Sequence, residues 1–146
     1  MTTRITGSQI TGLDYAAASI TSPVSITATS SATGNTCIST GAFAITNPGD
    51  YYVEVFTPQL TKGTTNLDVE LWDGGTSGTF LQTLTGHMTA SDILGSGNTF
   101  LARVTLAAGA HTMVVTAFVD AGTGSFGAGA GTTGAAPPAR IRVFGT

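Results

Sequence analysis

Apolar and polar residues alternate along most of the chain from residue 24 onward. The clearest case is Leu67–Asp73, in which Leu67, Val69 and Leu71 share one face of an extended segment. A repeat of two residues is that of a β-strand with one buried side. Shorter or less regular runs of the same kind occupy residues 24–28, 36–39, 42–46, 51–57, 80–84, 99–106, 111–119 and 140–144. The pattern predicts eight or nine short strands and no helix of any length.

Turn residues separate these runs. Asn47-Pro-Gly-Asp50 is a strong turn signal, because Pro presets the first central φ and Gly accepts a positive φ at the second. We therefore expect residues 42–46 and 51–57 to form a hairpin, and residues 99–106 and 111–119 to form a second one. Short strands with regularly spaced turns are typical of an antiparallel β-sandwich or barrel.

Two segments depart from the alternation. The first 22 residues keep neither a helical nor a strand period, and their large apolar residues are isolated: Ile5, Ile10, Leu13 and Ile20. This composition suits either a disordered tail or an extended arm that docks on a neighbouring subunit through those four side chains, and we favour the arm. Its removal, up to residue 20, is then expected to leave the fold intact.

The second segment covers residues 121–138, which are rich in Gly and Ala. Glycine loses more backbone entropy on ordering than any other residue, so this composition predicts a loop. The organisation expected from the sequence is an arm over residues 1–22 and one domain over residues 23–146 that contains this loop.

Composition narrows the classes of function. Only 9% of the 146 residues are charged, against about 25% in ordinary globular proteins, and the net charge is −3. The five Lys and Arg residues form no basic run, which argues against nucleic-acid binding. No apolar stretch approaches the roughly 18 residues of a membrane span, and the first residues lack the apolar segment of a signal peptide. Cys37 is the single cysteine and is expected to be buried and unreactive.

The sequence offers little support for a catalytic function. Ser91, His87 and Asp92 are close in sequence, but no Gly-x-Ser-x-Gly turn supports a triad. The two histidines, His87 and His111, are far apart and lack the further ligands of a zinc site. Asp68 and Glu70 lie on one face of the strand at residues 67–73. This acidic pair is more typical of a solvent-facing strip than of the catalytic carboxylates of a glycosidase. We therefore expect a non-enzymatic protein with no metal and no cofactor.

The outer faces of the predicted strands carry more large apolar side chains than solvent exposure favours. If Val114 and Phe118 face inward with the other alternating residues, eight others face outward: Tyr52, Phe56, Trp72, Leu81, Leu101, Met113, Val115 and Phe144. A concentration of this kind marks a partner surface, and homo-oligomers are the commonest assemblies. We therefore predict that these eight form an oligomer interface. Trp72, beside two acidic residues, is alternatively a ring on which a sugar stacks.

Three segments resemble small jelly-roll domains of the tumour-necrosis-factor and complement-C1q type: Gly49-Asp-Tyr-Tyr-Val-Glu-Val-Phe, Val104-Thr-Leu-Ala-Ala-Gly-Ala-His-Thr-Met-Val-Val and Arg-Ile-Arg-Val-Phe144. The resemblance covers residues 40–146 and implies a jelly-roll β-sandwich. No receptor-binding or calcium-binding motif of those families is present, so no residue role is carried over.

The Thr-, Ser-, Gly- and Ala-rich chain behind its Ile-Thr-Gly arm is also similar to small virion proteins of tailed bacteriophages. That similarity implies a trimeric tail or tail-tip component that contacts other virion proteins and is assembled in the host cytoplasm. Two alternatives stay open: a decoration protein at the local three-fold axes of the capsid, and a carbohydrate-binding module that recognises a host-surface glycan.

Overall fold

The computed structural model describes residues 14–62, 64, 66–85, 93–94, 97–131 and 134–145. Over these residues the chain forms sixteen β-strands and one turn of 3-10 helix at Ser31–Thr33. The strands are β1 (Asp14–Ile20), β2 (Val24–Ile26), β3 (Asn35–Ser39), β4 (Phe43–Ile45), β5 (Gly49–Thr57), β6 (Leu60–Thr61), β7 (Leu67–Asp73), β8 (Thr79–Thr85), β9 (Ile93–Leu94), β10 (Asn98–Leu106), β11 (Gly109–His111), β12 (Met113–Val119), β13 (Gly124–Phe126), β14 (Ala130–Gly131), β15 (Gly134–Ala135) and β16 (Ala139–Gly145).

Two four-stranded antiparallel sheets make up the sandwich. Their strand orders are β1-β16-β5-β10 and β3-β12-β7-β8, so strands distant in sequence lie side by side. A smaller sheet, β2-β13-β6-β9, and the pairs β4–β11 and β14–β15 complete the structure. The antiparallel jelly-roll β-sandwich predicted from the sequence is confirmed.

The core lies between the two large sheets and follows the predicted alternation. On β5, Val53 and Val55 are fully buried, whereas Tyr52, Glu54 and Phe56 between them are only half-buried. The facing sheet contributes buried residues from β7 and β12 to the same cluster, including Leu67, Val69, Leu71, Val115 and Val119. Cys37 is 4% exposed, and its predicted burial is confirmed.

Neither predicted hairpin forms. β4 pairs with β11, and β5 pairs with β10 and β16, so the turn at Asn47-Pro-Gly-Asp50 joins strands that belong to different sheets. Likewise β10 pairs with β5, whereas β12 pairs with β3 and β7. The chain turns between β4 and β5 near the predicted site, but β11 occupies part of the second predicted turn, at residues 107–110. Turn chemistry alone does not determine which strands pair across a turn.

The inward and outward faces of β12 are the reverse of the prediction. Met113 and Val115 are fully buried in the core, so their assignment to an outer, partner-facing surface is wrong. Val115 lies opposite Leu71 and Ile38, two core residues of the neighbouring strands. Thr116 belongs to the other face with Val114, and this polar residue in an otherwise apolar strand marks the side away from the core.

The first 22 residues are not all an arm. Asp14–Ile20 is an edge strand of the first sheet and pairs antiparallel with β16 from Ala139 to Phe144. Ile20 packs against this chain's own core, so its predicted role on a neighbouring subunit is wrong. Ile5, Ile10 and Leu13 lie outside the described residues.

The Gly/Ala-rich segment is more regular than a loop. Gly124–Phe126 forms a strand between β2 and β6, and Phe126 is among the largest fully buried side chains. Glycine's entropic cost is outweighed here because one large aromatic residue anchors the strand in the core.

Candidate functional site

The outer face of the sheet β1-β16-β5-β10 gathers half of the predicted interface residues. We call it the arginine face, because Arg103, Arg140 and Arg142 lie on it. Strand register places Tyr52 opposite Phe144 and Arg103, Phe56 opposite Arg140, and Leu101 opposite Glu54. Four of the eight residues predicted to face outward therefore lie together: Tyr52, Phe56, Leu101 and Phe144.

Aromatic rings and guanidinium groups are stacked across this face. The Arg140 guanidinium carbon lies 5.2 Å from the centre of the Phe56 ring, and that of Arg142 lies 5.8 Å from the centre of Phe144. Such pairs are favourable cation–π contacts. The Tyr52 and Phe144 ring centres are 5.7 Å apart. The result is an ordered surface of rings and cations.

Carboxylates on β5 lie among these cations. Glu54 Oε1 is 3.6 Å from both Arg140 Nε and Arg142 Nη1. At the far end of β5, Asp50 accepts hydrogen bonds from Thr105 and Arg103, and these two bonds lower the pKa of the Asp50 carboxyl. Leu101, opposite Glu54, has 58% of its surface exposed.

The outer face of the sheet β3-β12-β7-β8 has different chemistry. We call it the tryptophan face. Trp72 lies on this outer face, but only 8% of its surface is exposed, so the prediction that it offers its ring to a partner or a sugar is wrong. The exposed ring is its cross-strand neighbour Phe80, at 47%, which meets the indole edge-on with ring centres 5.3 Å apart.

Glu70 lies two residues before Trp72 on this face and is 6% exposed. Its Oε2 atom accepts a hydrogen bond from Trp72 Nε1 at 3.2 Å and another from the Ser31 hydroxyl at 2.8 Å. Ser31 belongs to the 3-10 turn, which covers Glu70 and explains why this carboxylate is not the solvent-facing group that the alternation predicts. Thr116, opposite Glu70 on β12, is fully buried.

Leu81 does not face outward either. It packs against the core, although it neighbours Phe80. The register between β7 and β8 shifts between Leu71 and Trp72, which face Gln82 and Phe80, so Leu81 is the extra residue of a β-bulge. A bulge reverses the inward and outward alternation locally and is not visible in the sequence pattern.

Sequence reasoning missed Phe80 as an exposed aromatic residue. The available signal was its place directly opposite Trp72 in the next strand, but the bulge concealed the register. Thr83, opposite Glu70 on the same face, is an exposed polar side chain near it. The tryptophan face thus presents one half-exposed ring, supported by a buried ring, and the exposed hydroxyl of Thr83.

Metal-binding side chains are not brought together in the described part of the chain. There, no cluster of three or more His, Cys, Asp and Glu residues has the geometry to hold a metal ion. Ser91, His87 and Asp92 lie outside the described residues. No helix within the described ranges is long and apolar enough to cross a membrane.

Comparison with known proteins bears on the fold. No protein-family model matches the sequence, and no curated protein matches it. Among solved structures, the chain is similar to a carbohydrate-binding module from Cellvibrio mixtus lichenase 5A in complex with cellotriose. The TM-score is 0.51 at 16% identity, and the match covers 93% of this chain and 92% of that one.

Two further structures match with lower scores. The C-terminal carbohydrate-binding module of LamC from Zobellia galactanivorans has a TM-score of 0.44 at 11% identity, covering 90% of this chain and 92% of its own. The globular domain of zebrafish complement 1qA has a TM-score of 0.37 at 18% identity, with 90% and 96% covered. At these identities, the first comparison shows a shared β-sandwich fold and nothing about ligands.

Proposed function

We propose that this chain is a non-enzymatic jelly-roll binding module and that its ligand is a carbohydrate, recognised on the tryptophan face. The observation that carries the proposal is the half-exposed Phe80 ring, supported edge-on by Trp72. The shared fold with a module solved in complex with cellotriose supports it. On a virion, such a module would serve host adhesion by binding a surface glycan.

The chemistry of the face suits a sugar. The C–H side of a pyranose ring is apolar and covers an aromatic ring, while its hydroxyl groups need hydrogen-bond partners at the rim. Binding sites for small molecules commonly combine a few apolar rings with a few polar groups that fix orientation. Phe80 offers the ring, and Thr83, opposite Glu70 on the same face, offers an exposed hydroxyl group.

Trp72 provides a built-in reporter, because it is the single tryptophan of the chain. A glycan array identifies a ligand, and titration of Trp72 fluorescence then measures its affinity. We expect Phe80→Ala to abolish binding and Tyr15→Ala to preserve it, since Tyr15 is a similarly exposed ring, 41% against 47%, on the opposite sheet. No glycan bound by the wild type, or equal affinity in the Phe80 variant, would rule out this site.

The arginine face favours a second function, that of a virion structural subunit. Protein interfaces are enriched in Tyr, Phe and Arg and depleted in Lys, and this face follows that composition. Its three arginines and two carboxylates, Asp50 and Glu54, provide charges of both signs for contacts between copies. We propose a homotrimer, in a phage tail or tail tip or, alternatively, on the local three-fold axes of the capsid.

Sedimentation tests self-association directly. We expect an oligomer at micromolar concentration that Leu101→Asp converts to a folded monomer, whereas Phe80→Asp on the other face does not. A wild-type monomer with no larger species would contradict the proposal. Quantitative mass spectrometry of purified virions separates the two locations, because decoration proteins are present in far more copies than tail components.

A further inference from the structure

Glu70 is a buried carboxylate whose two donors are neutral groups, the Ser31 hydroxyl and the Trp72 indole. Burying a carboxylate is costly unless hydrogen bonds compensate it. A leucine at this position would fill similar space without that cost. Packing alone therefore does not account for a carboxylate here.

We propose that Glu70 is a positioning residue, which holds the Trp72 indole in one orientation and thereby presents the Phe80 ring to a ligand. This role rests on the proposed carbohydrate function. Glu70 does not reach the ligand itself, because it is covered by the 3-10 turn at Ser31–Thr33 and acts through the indole.

A hydrogen bond to Glu70 orients the Trp72 indole. A buried Nε1–H group needs an acceptor, and Trp72 finds it in Glu70 Oε2 at 3.2 Å. Because Glu70 and Trp72 are two residues apart on one strand, this bond fixes the ring plane relative to the sheet. Without it, an isolated indole on an outer face has other rotamers available.

The Glu70 carboxylate is itself anchored by the 3-10 turn. The same Oε2 atom accepts from the Ser31 hydroxyl at 2.8 Å, and the turn that carries Ser31 is closed by a 2.8 Å hydrogen bond between the Ser30 and Thr33 hydroxyls. The carboxylate is thus held from the turn on one side and holds the indole on the other.

The Trp72 indole in turn packs against the Phe80 ring. The rings meet at 75° with centres 5.3 Å apart, which is the edge-to-face arrangement that aromatic pairs prefer. Phe80 lies on an edge strand whose register with β7 is interrupted by bulges on both sides of the Glu70–Leu71 pair. Backbone pairing is therefore irregular next to Phe80, and the Trp72 ring supports the Phe80 ring there.

Two substitutions separate positioning from simple stability. Glu70→Gln keeps an acceptor oxygen, and Glu70→Leu keeps the volume but removes the acceptor. Acrylamide quenching and near-ultraviolet circular dichroism report the order of the single tryptophan, and glycan titration reports function. We expect Glu70→Leu to raise quenching severalfold, to flatten the near-ultraviolet signal and to weaken glycan binding about tenfold, the equivalent of one lost hydrogen bond to a charged group.

We expect Glu70→Gln to stay close to the wild type in all three readouts, with Tyr15→Ala, at an exposed ring of the other sheet, as the control for an unrelated change. A folded Glu70→Leu protein with wild-type quenching and near-ultraviolet spectrum overturns the proposal. If that variant does not fold, Ser31→Ala decides: it retains the carboxylate, and unchanged quenching there also overturns the proposal.

These outcomes are distinct from failure of the proposed function. If the wild type binds no glycan while Glu70→Leu loosens Trp72, the carbohydrate function is wrong and the positioning of the rings stands. If glycan binds and Glu70→Leu changes neither quenching nor affinity, only the positioning role is wrong.

Discussion

His111 donates to Asp73 and to the main chain at the same time. Its Nδ1 lies 2.6 Å from Asp73 Oδ2, and its Nε2 lies 2.9 Å from the carbonyl oxygen of Ala107. Both partners are acceptors, so both bonds exist together only in the imidazolium form. The other Asp73 oxygen accepts from the Thr112 main-chain N–H at 2.9 Å. The His111–Asp73 pair therefore connects the end of β7 to the turn after β10.

This geometry predicts a pH-dependent stability. The hydrogen bond to Asp73 raises the pKa of His111 above its ordinary value of 6.5. The folded protein therefore binds this proton more tightly than the unfolded chain does. The resulting stabilisation is fully present below the unfolded pKa and is lost as the pH rises through the folded one.

We expect the free energy of unfolding by urea to fall as the pH rises above about 6.5. His111→Ala should cost about 1.5–3 kcal/mol at mildly acidic pH, because it removes a hydrogen bond to a charged group, and should flatten the pH profile. His87→Gln, which changes the other histidine, is the control and should leave the profile unchanged. If the free energy of unfolding of the His111 variant still falls as the pH rises, this prediction is contradicted.

Phe126 should dominate the stability of the Gly/Ala-rich segment. It is fully buried, whereas Phe80 is 47% exposed, so the two provide a matched pair of Phe→Ala substitutions. We expect Phe126→Ala to lower the free energy of unfolding by about 3–5 kcal/mol. Phe80→Ala should lower it by far less. Equal effects in chemical denaturation would mean that β13 does not anchor the segment in the core.

Gly129 should tolerate no side chain. Its φ is +70°, and a Cβ atom built there would lie 1.6 Å from the Thr21 carbonyl oxygen. Gly75 has a similar φ of +77° but nothing within 4 Å of such an atom. We therefore expect Gly75→Ala to cost about 1 kcal/mol, from backbone strain alone. Gly129→Ala should cost clearly more in the same denaturation assay, and similar values would argue against the close approach to Thr21.

Cys37 should be unreactive until the protein unfolds. Burial raises the pKa of its thiol from 9.0 to about 12, so almost no thiolate is present near neutral pH. We expect reaction with a chromogenic disulfide reagent only after denaturant is added. Rapid labelling of the native protein would show that the strand β3 opens readily.

Only features that follow from the local alternation of apolar and polar residues could be predicted from the sequence. The alternation on β5 and β7 placed Val53, Val55 and Leu67 in the core correctly, because each strand has one clearly apolar side. It failed on β12, where both faces are apolar and only Thr116 distinguishes them. It failed at Leu81, because a bulge depends on the partner strand. The hairpins failed for the same reason: pairing between β10 and β5 is a long-range choice that no turn encodes.

The candidate site likewise contains some residues whose positions could be predicted and others whose positions could not. Tyr52, Phe56, Leu101 and Phe144 could be assigned outward positions because β5, β10 and β16 alternate cleanly, but their common face required the strand order. The burial of Glu70 could not be predicted, since it follows from a 3-10 turn whose Ser31 bonds to Glu70 from 39 residues away along the chain.

Truncation at the amino terminus distinguishes an arm from a strand. Removing residues 1–13 leaves β1 in place, whereas removing residues 1–20 exposes the edge of β16 and deletes the core contacts of Ala16, Ala18 and Ile20. We expect the shorter deletion to change the free energy of unfolding little. The longer one should lower it by at least about 2 kcal/mol, because it removes a partly buried isoleucine together with the paired strand.

The longer deletion should also promote aggregation, because the newly exposed β16 edge carries unpaired main-chain groups over most of its length. Urea denaturation and light scattering measure the two effects. Equal stability of both truncated proteins would restore the expectation drawn from the sequence, that the whole segment up to residue 20 is dispensable for folding. Loss of stability only in the longer deletion would show that the jelly roll begins at β1, nine residues earlier than Pro23 indicates.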